Sequence, residues 1–191
     1  MGGLAVFRSQ WRRFAAIALL LAAILWLISV ALDSFPLRAI TYVILAVALT
    51  IVAFGYREAS GKLVRGQVGL LLFAAGFAIL ALSFLLTPLL GSSWTPIIVF
   101  GLTLYGVFGL AVVILLADAV ISMVAMRRAD STADSSRAVS FVPTILGVTA
   151  FVSLLSTYLP YPEWLVFLLP VVCIAAAAYL LFGKTAADSN L

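Results

Sequence analysis

Few side chains in this chain could do chemistry, and Asp118 is the most distinctive because it is an acid inside a long apolar run. An ionisable group at membrane depth is a functional candidate by default, since it is expensive to bury. Counting about 20 residues inward from Trp94 places Asp118 among lipid headgroups. Counting back from Arg127 instead places it about 13 Å inside the helix end. The sequence therefore leaves two interpretations open, an interfacial or paired acid and a buried functional acid.

Two further groups of polar residues are weaker candidates. Asp33 and Arg38 flank a short turn, where they could form an external ion or partner site. They could equally be an exposed ion pair, worth less than about 1 kcal/mol. Ser153, Ser156 and Thr157 recur at i, i+3 and i+4, so they share one helix face. That face predicts either a polar path or, more commonly, interhelical contacts.

The composition excludes several other kinds of chemistry. The chain has no histidine, which excludes histidine-ligated haem, imidazole metal sites and triad-type catalysis. Its seven acidic residues are scattered rather than clustered. Cys173 is the single cysteine, so no disulfide forms within the chain. We therefore predict no catalytic residues, no cofactor and no metal site, and a protein that is not an enzyme.

Hydropathy indicates a membrane protein. The 191 residues are 65% hydrophobic and 9% charged, with a mean hydropathy of +1.28. A soluble domain is about 45–50% apolar and about a quarter charged. Lipid must therefore be the main solvent, and the length leaves room for one membrane domain with no soluble domain beside it.

Six apolar runs can be drawn along the chain: 14–33, 39–56, 67–90, 95–126, 139–159 and 163–182. A helix needs about 20 residues to cross a bilayer, and helices satisfy their own backbone hydrogen bonds in lipid. The predicted fold is all-α, a polytopic membrane protein of six transmembrane helices arranged as three parallel helical hairpins. The predicted parts are a cytoplasmic N-terminus 1–13, a transmembrane domain 14–182 with hairpins 14–56, 67–126 and 139–182, and a cytoplasmic tail 183–191.

The hairpins share a spacing that suggests internal repetition. A basic residue and a proline lie 23 positions apart in each hairpin: Arg13 and Pro36, Arg65 and Pro88, Arg137 and Pro160. True repetition and shared hydropathy both explain this spacing. If the repeats are real, they are parallel rather than inverted, because all three enter from the same side.

Basic residues predict the orientation. Ten of the eleven fall on one side of the predicted membrane, and Arg38 alone falls on the other. This is a positive-inside pattern, which places both termini in the cytoplasm and the protein in the inner membrane. The first run could also be a signal peptide ending near Ser29-Val30-Ala31. However, it is longer than the usual apolar core of about 7–15 residues, which favours an uncleaved helix.

The middle hairpin carries a pattern of glycines that resembles a known family. Residues 69–76 (GLLLFAAG) lead to Pro88, and residues 97–106 (IIVFGLTLYG) follow. Together with three hairpins and similar length, this pattern resembles the HdeD-type membrane proteins. The resemblance implies a role in stress response, such as acid resistance, and implies no site residues. Expected partners are the lipid bilayer and a second copy or another membrane protein, with no nucleic acid. The alternative is a small transporter or channel that uses Asp118.

Overall fold

The computed structural model describes residues 2–60, 65–90, 101–128, 145, 147–149, 151–152 and 167–182. These residues are helical except for the turn at 32–34, and no strand occurs among them. The helices are α1 (Gly2–Ala31), α2 (Phe35–Ser60), α3 (Arg65–Leu90), α4 (Gly109–Arg128) and α5 (Leu168–Phe182), with a π-helical segment (Thr103–Phe108) leading into α4. The prediction of an all-α chain is confirmed for this part of the sequence.

Three of these helices are long and apolar enough to cross a membrane. They are Gln10–Ala31, Pro36–Gly55 and Arg65–Leu86, with mean hydropathies of 2.7, 2.2 and 2.5. Each has at least the roughly 20 residues that a hydrocarbon core requires. Two shorter apolar helices, Gly106–Ile121 and Leu168–Phe182, accompany them. Most of the predicted run 139–159 lies outside the described residues.

The helices extend beyond the apolar runs that predict them. α1 begins at Gly2, so residues 2–13, the predicted cytoplasmic N-terminus, belong to the same helix as the first apolar run. α2 covers Phe35–Ser60 rather than only 39–56. An apolar run marks the part of a helix that contacts lipid, but the backbone still needs internal hydrogen bonds beyond it. No proline interrupts the first 30 residues, so nothing ends α1 earlier.

A tight turn joins α1 to α2. Asp33 has a φ of 45°, and the Ser34 N–H donates to the Ser29 carbonyl at 3.1 Å. The Asp33 N–H donates to the Val30 carbonyl at 3.3 Å, which completes a Schellman motif at the end of α1. Pro36 then lies in the first turn of α2, where a backbone N–H has no helical partner to lose. The chain thus reverses within three residues.

The helices pack in an order that differs from their order in the chain. α1 lies between α2 and α5, and α3 lies between α2 and α4. Trp11 near the start of α1 contacts Gly55 near the end of α2, so these two helices are antiparallel. The inward face of α1 consists largely of alanine (Ala15, Ala16, Ala22 and Ala23 are all buried). Such small residues let helix backbones approach closely, which is how helices associate in lipid.

A chain of aromatic rings links the helices in the core. The ring centroids of Trp26 and Tyr42 are 6.0 Å apart, and those of Tyr42 and Phe77 are 5.7 Å apart. Phe77 in turn lies 5.1 Å from Phe108, in an edge-on arrangement. These distances suit favourable aromatic pairing. The rings therefore connect α1, α2, α3 and the π-helical segment into one packed body.

Candidate functional site

Asp118 lies on α4 against the first turn of α3. Its side chain is buried, with 7% of its surface exposed. The backbone N–H of Gly66, the second residue of α3, donates a hydrogen bond to the Asp118 carboxylate. The first four N–H groups of a helix have no partner within the helix. Asp118 therefore caps α3 from a neighbouring helix.

The missing side chain of Gly66 makes this contact possible. A Cβ atom at Gly66 would lie 2.8 Å from Oδ2 of Asp118, closer than real Cβ contacts allow. Any other residue at this position would push the carboxylate away from the start of α3. The glycine on α3 therefore lets the acid on α4 approach the helix without moving aside.

Two more glycines extend this close contact along α3. A Cβ at Gly69 would lie 2.6 Å from Cγ of Leu115, and a Cβ at Gly76 would lie 2.7 Å from Cε1 of Phe108. Later residues of α3 therefore contact earlier residues of α4 and of the π-helical segment before it. This order shows that α3 and α4 run antiparallel. We call Gly66, Gly69 and Gly76 the α3 glycines. Their close contacts keep α4 near enough to α3 for the Asp118 carboxylate to accept the hydrogen bond from Gly66.

Burial of the Asp118 carboxylate disfavours its charged form, and two features of the site oppose this effect. The start of a helix carries a partial positive charge, so a carboxylate there is stabilised. Arg65 is the first residue of α3, and its positive charge also acts on the Asp118 carboxylate. The acid inside the apolar run is therefore matched to a helix end and a cation.

A basic residue has the complementary role at the same end of the bundle. Nη2 of Arg12 donates to the backbone carbonyl of Tyr179 at 3.5 Å. Tyr179 lies in the last turn of α5, where carbonyls lack helical partners and a positive charge is favoured. An acid at the start of α3 and a base at the end of α5 thus each stabilise a helix terminus.

Asp33 and Arg38 form an ion pair at the opposite end of the bundle. The Asp33 carboxylate is largely exposed, with 81% of its side-chain surface accessible. The structure brings this pair together across the α1–α2 turn, far from Asp118. An ion pair this exposed contributes little free energy.

Three hydroxyl groups of α1 and α2 donate hydrogen bonds to carbonyls of their own helices. Oγ of Ser29 donates to the Trp26 carbonyl at 2.8 Å. Thr41 and Thr50 donate in the same way to the carbonyls of Leu37 and Ala46, at 2.8 and 2.7 Å. Such back-bonding satisfies a hydroxyl group without a polar partner from another helix. These three side chains therefore do not require a water-filled path.

The third group of predicted candidates, Ser153, Ser156 and Thr157, lies outside the described residues. Pro170 lies in the first turn of α5, so it removes no hydrogen bond from the helix interior. Cys173 is buried among apolar side chains. Within the part of the chain that the structure describes, no group of three His, Cys, Asp or Glu residues could hold a metal ion.

Sequence reasoning found Asp118 but missed its partner. The signal that could have found it is the spacing of the α3 glycines, three and then seven residues apart, which places them on one helix face. The same glycines at 69 and 76 carry the resemblance to the HdeD-type proteins. No family model matches the chain, and no curated protein or solved structure matches it significantly. The resemblance stays a prediction.

Proposed function

We propose that this chain is a six-helix inner-membrane protein with both termini in the cytoplasm, and that it works without enzymatic chemistry. In this proposal it is a stress-response or partner-binding component of the membrane. Three helices of membrane-spanning length and two shorter apolar helices support the membrane placement. The stress-response role is supported by the HdeD-type resemblance of residues 69–76 and 97–106.

The contact between Asp118 and Gly66 supports the part of the proposal in which Asp118 takes part in neither catalysis nor transport. A carboxylate that carries ions or protons needs access to a polar path in at least one of its states. The Asp118 carboxylate instead accepts a hydrogen bond at a helix terminus and is enclosed by α3. The contact with Gly66 places the acid level with the start of α3 rather than halfway along it. The ten residues of α4 that follow Asp118, about 15 Å of helix, extend beyond this level.

The proposed orientation is supported by the positions of the charged residues in the bundle. Arg12, Arg13 and Arg65 lie at the end where α1 and α3 begin, which is also the end of Asp118. Asp33 and Arg38 lie at the other end. Reporter fusions after Arg65 and after Arg128 are expected to show cytoplasmic activity. An external signal from either fusion would contradict the orientation.

Ion flux measurements test the function itself. The purified protein is reconstituted into liposomes, and proton and cation flux are compared between the native protein and Asp118→Asn. We expect no flux above empty liposomes for either protein. Flux that is present in the native protein and lost in the variant would make the chain a transporter or channel with Asp118 as its working residue.

The stress-response part is tested in cells. A strain that lacks the gene is exposed to acid and compared with strains that carry the native gene or the Gly69→Ala variant, which disturbs the contact between α3 and α4. We expect survival to fall without the gene and to recover with the native copy alone. Equal survival of all strains would contradict the stress-response role and favour the partner-binding role.

A further inference from the structure

An apolar groove runs along the outer surface between α1 and α2. Phe14, Ile17 and Leu21 line it from α1, and Ile44, Val47 and Ile51 line it from α2. Its volume is about 450 Å³. Ile17 is 61% exposed and Val47 is 50% exposed, so the groove opens away from the bundle. In a bilayer such a groove faces the lipid acyl chains.

One end of this groove is positively charged. Arg13 directly precedes Phe14 and lies four residues before Ile17, so it continues the groove face of α1 by one turn. Its side chain is exposed. Trp11 packs against Gly55 and closes the space between α1 and α2 at this end. The apolar groove therefore ends at one exposed arginine, Arg13, and an aromatic ring.

We propose that this groove binds an anionic phospholipid, with an acyl chain between α1 and α2 and the headgroup phosphate beside Arg13. The inference rests on the proposed membrane placement of these two helices. An acyl chain matches the apolar lining, and the phosphate matches the charge at one end only. Basic residues at the membrane surface attract anionic lipids by about 1 kcal/mol each, and tryptophan favours the same interfacial level.

The lining distinguishes a lipid from a helix of a second copy. Helices approach each other in membranes through small side chains. The groove between α2 and α3 has that character, because Ala46, Ala74 and Ala78 line it. The groove between α1 and α2 is lined mainly by large branched and aromatic side chains, whose uneven surface a flexible acyl chain can follow.

The test measures lipid binding to the full-length protein. Purified protein in a neutral detergent is titrated with phosphatidylglycerol or phosphatidylcholine, and bound lipid is counted by native mass spectrometry. Arg13→Gln should weaken phosphatidylglycerol binding about fivefold, the equivalent of about 1 kcal/mol, without changing phosphatidylcholine binding. Ala18→Trp, which fills the groove from α1, should weaken the binding of both lipids.

Matched controls make the result specific. Ile24→Trp places the same ring on an exposed part of α1 outside the groove, and Arg128→Gln removes one charge from the end of α4. Both should bind lipid as the native protein does. Because Arg13 is exposed, Arg13→Gln keeps the test valid if Ala18→Trp does not fold.

Three results would overturn the proposal. Equal phosphatidylglycerol binding by the native protein and Arg13→Gln would exclude the headgroup contact. If Ile24→Trp lost as much lipid binding as Ala18→Trp, the bound lipid would be unspecific surface lipid. If Ala18→Trp changed the oligomeric state, the groove would be assigned to a second copy of the chain. Release of the protein from membranes by alkaline carbonate would instead refute the membrane placement, which keeps the two failures distinct.

Discussion

The Asp118 carboxylate on α4 accepts a hydrogen bond from the backbone N–H of Gly66 in the first turn of α3. The acid therefore satisfies one of the backbone N–H groups that have no acceptor within α3. This one contact joins two helices and also explains how an acid is tolerated in a long apolar run. Most of our predictions about stability follow from it and from the close packing beside it.

Asp118→Asn should change stability by less than about 1 kcal/mol, because the amide can still accept the Gly66 hydrogen bond and loss of the charge also removes the cost of burying it. Asp118→Leu should cost about 1–3 kcal/mol, since it leaves a buried N–H without an acceptor. Thermal unfolding in detergent, followed by circular dichroism, measures both. Asp33→Asn is the matched control and should unfold as the native protein does. An Asp118→Leu variant as stable as the native protein would show that the cap contributes nothing.

Gly69→Ala and Gly109→Ala should have opposite effects, although both place a methyl group on a helix. The added Cβ at Gly69 would lie 2.6 Å from Leu115 and must displace α4, whereas the added Cβ at Gly109 meets no atom within 4 Å. Overpacking of this kind costs about 1–3 kcal/mol. Alanine in place of an unhindered helical glycine stabilises by about 0.5–1 kcal/mol. Unfolding temperatures of the two variants in one detergent test the difference, and a decrease of equal size in both would contradict the α3–α4 contact.

Phe77→Ala should be strongly destabilising. Phe77 is fully buried and lies between the rings of Tyr42 and Phe108, so its removal leaves a cavity where three helical segments meet. Losses of about 3–5 kcal/mol are usual for such a change in a protein core. Leu82→Ala on the same helix is the control, because Leu82 is 56% exposed and faces lipid. Similar unfolding temperatures for the two variants would show that the aromatic chain does not hold the bundle together.

Backbone geometry, rather than the ion pair, should dominate the effect of substitutions at Asp33. The φ of 45° is tolerated by glycine and asparagine but costs about 1–2 kcal/mol for a branched residue. Asp33→Gly should therefore be as stable as the native protein, and Asp33→Val less stable by that amount. Arg38→Gln, which also breaks the ion pair, should change stability by less than about 1 kcal/mol. A large loss in Arg38→Gln with no loss in Asp33→Val would reverse this interpretation.

The apolar runs predicted the helical nature of the chain because lipid demands long apolar helices. They did not predict which helices are neighbours. In a soluble helix the apolar stripe identifies the buried face, but here Ile17 faces outward and Leu19 faces the core, and both are apolar. The position of α5 beside α1 could not be inferred for this reason.

The same limit applies to the candidate site. Asp118 was visible in the sequence because a charge in an apolar run is conspicuous. Its partner was not, because the hydrogen bond comes from the backbone of Gly66, and any residue except proline has a backbone N–H. What makes Gly66 suitable is the absence of a side chain, and a sequence pattern shows that only when the neighbouring helix is already known.

The position of α1 between α2 and α5 has a consequence for how the protein is made. α2 follows α1 directly, but α5 starts at Leu168, so a ribosome needs on the order of ten seconds to reach it after α1 is complete. During that interval one flank of α1 is without the neighbour it has in the finished bundle. Chains that stop after Arg128 keep that flank uncovered, which gives the quality-control machinery of the cell a physical difference between an unfinished chain and a finished one.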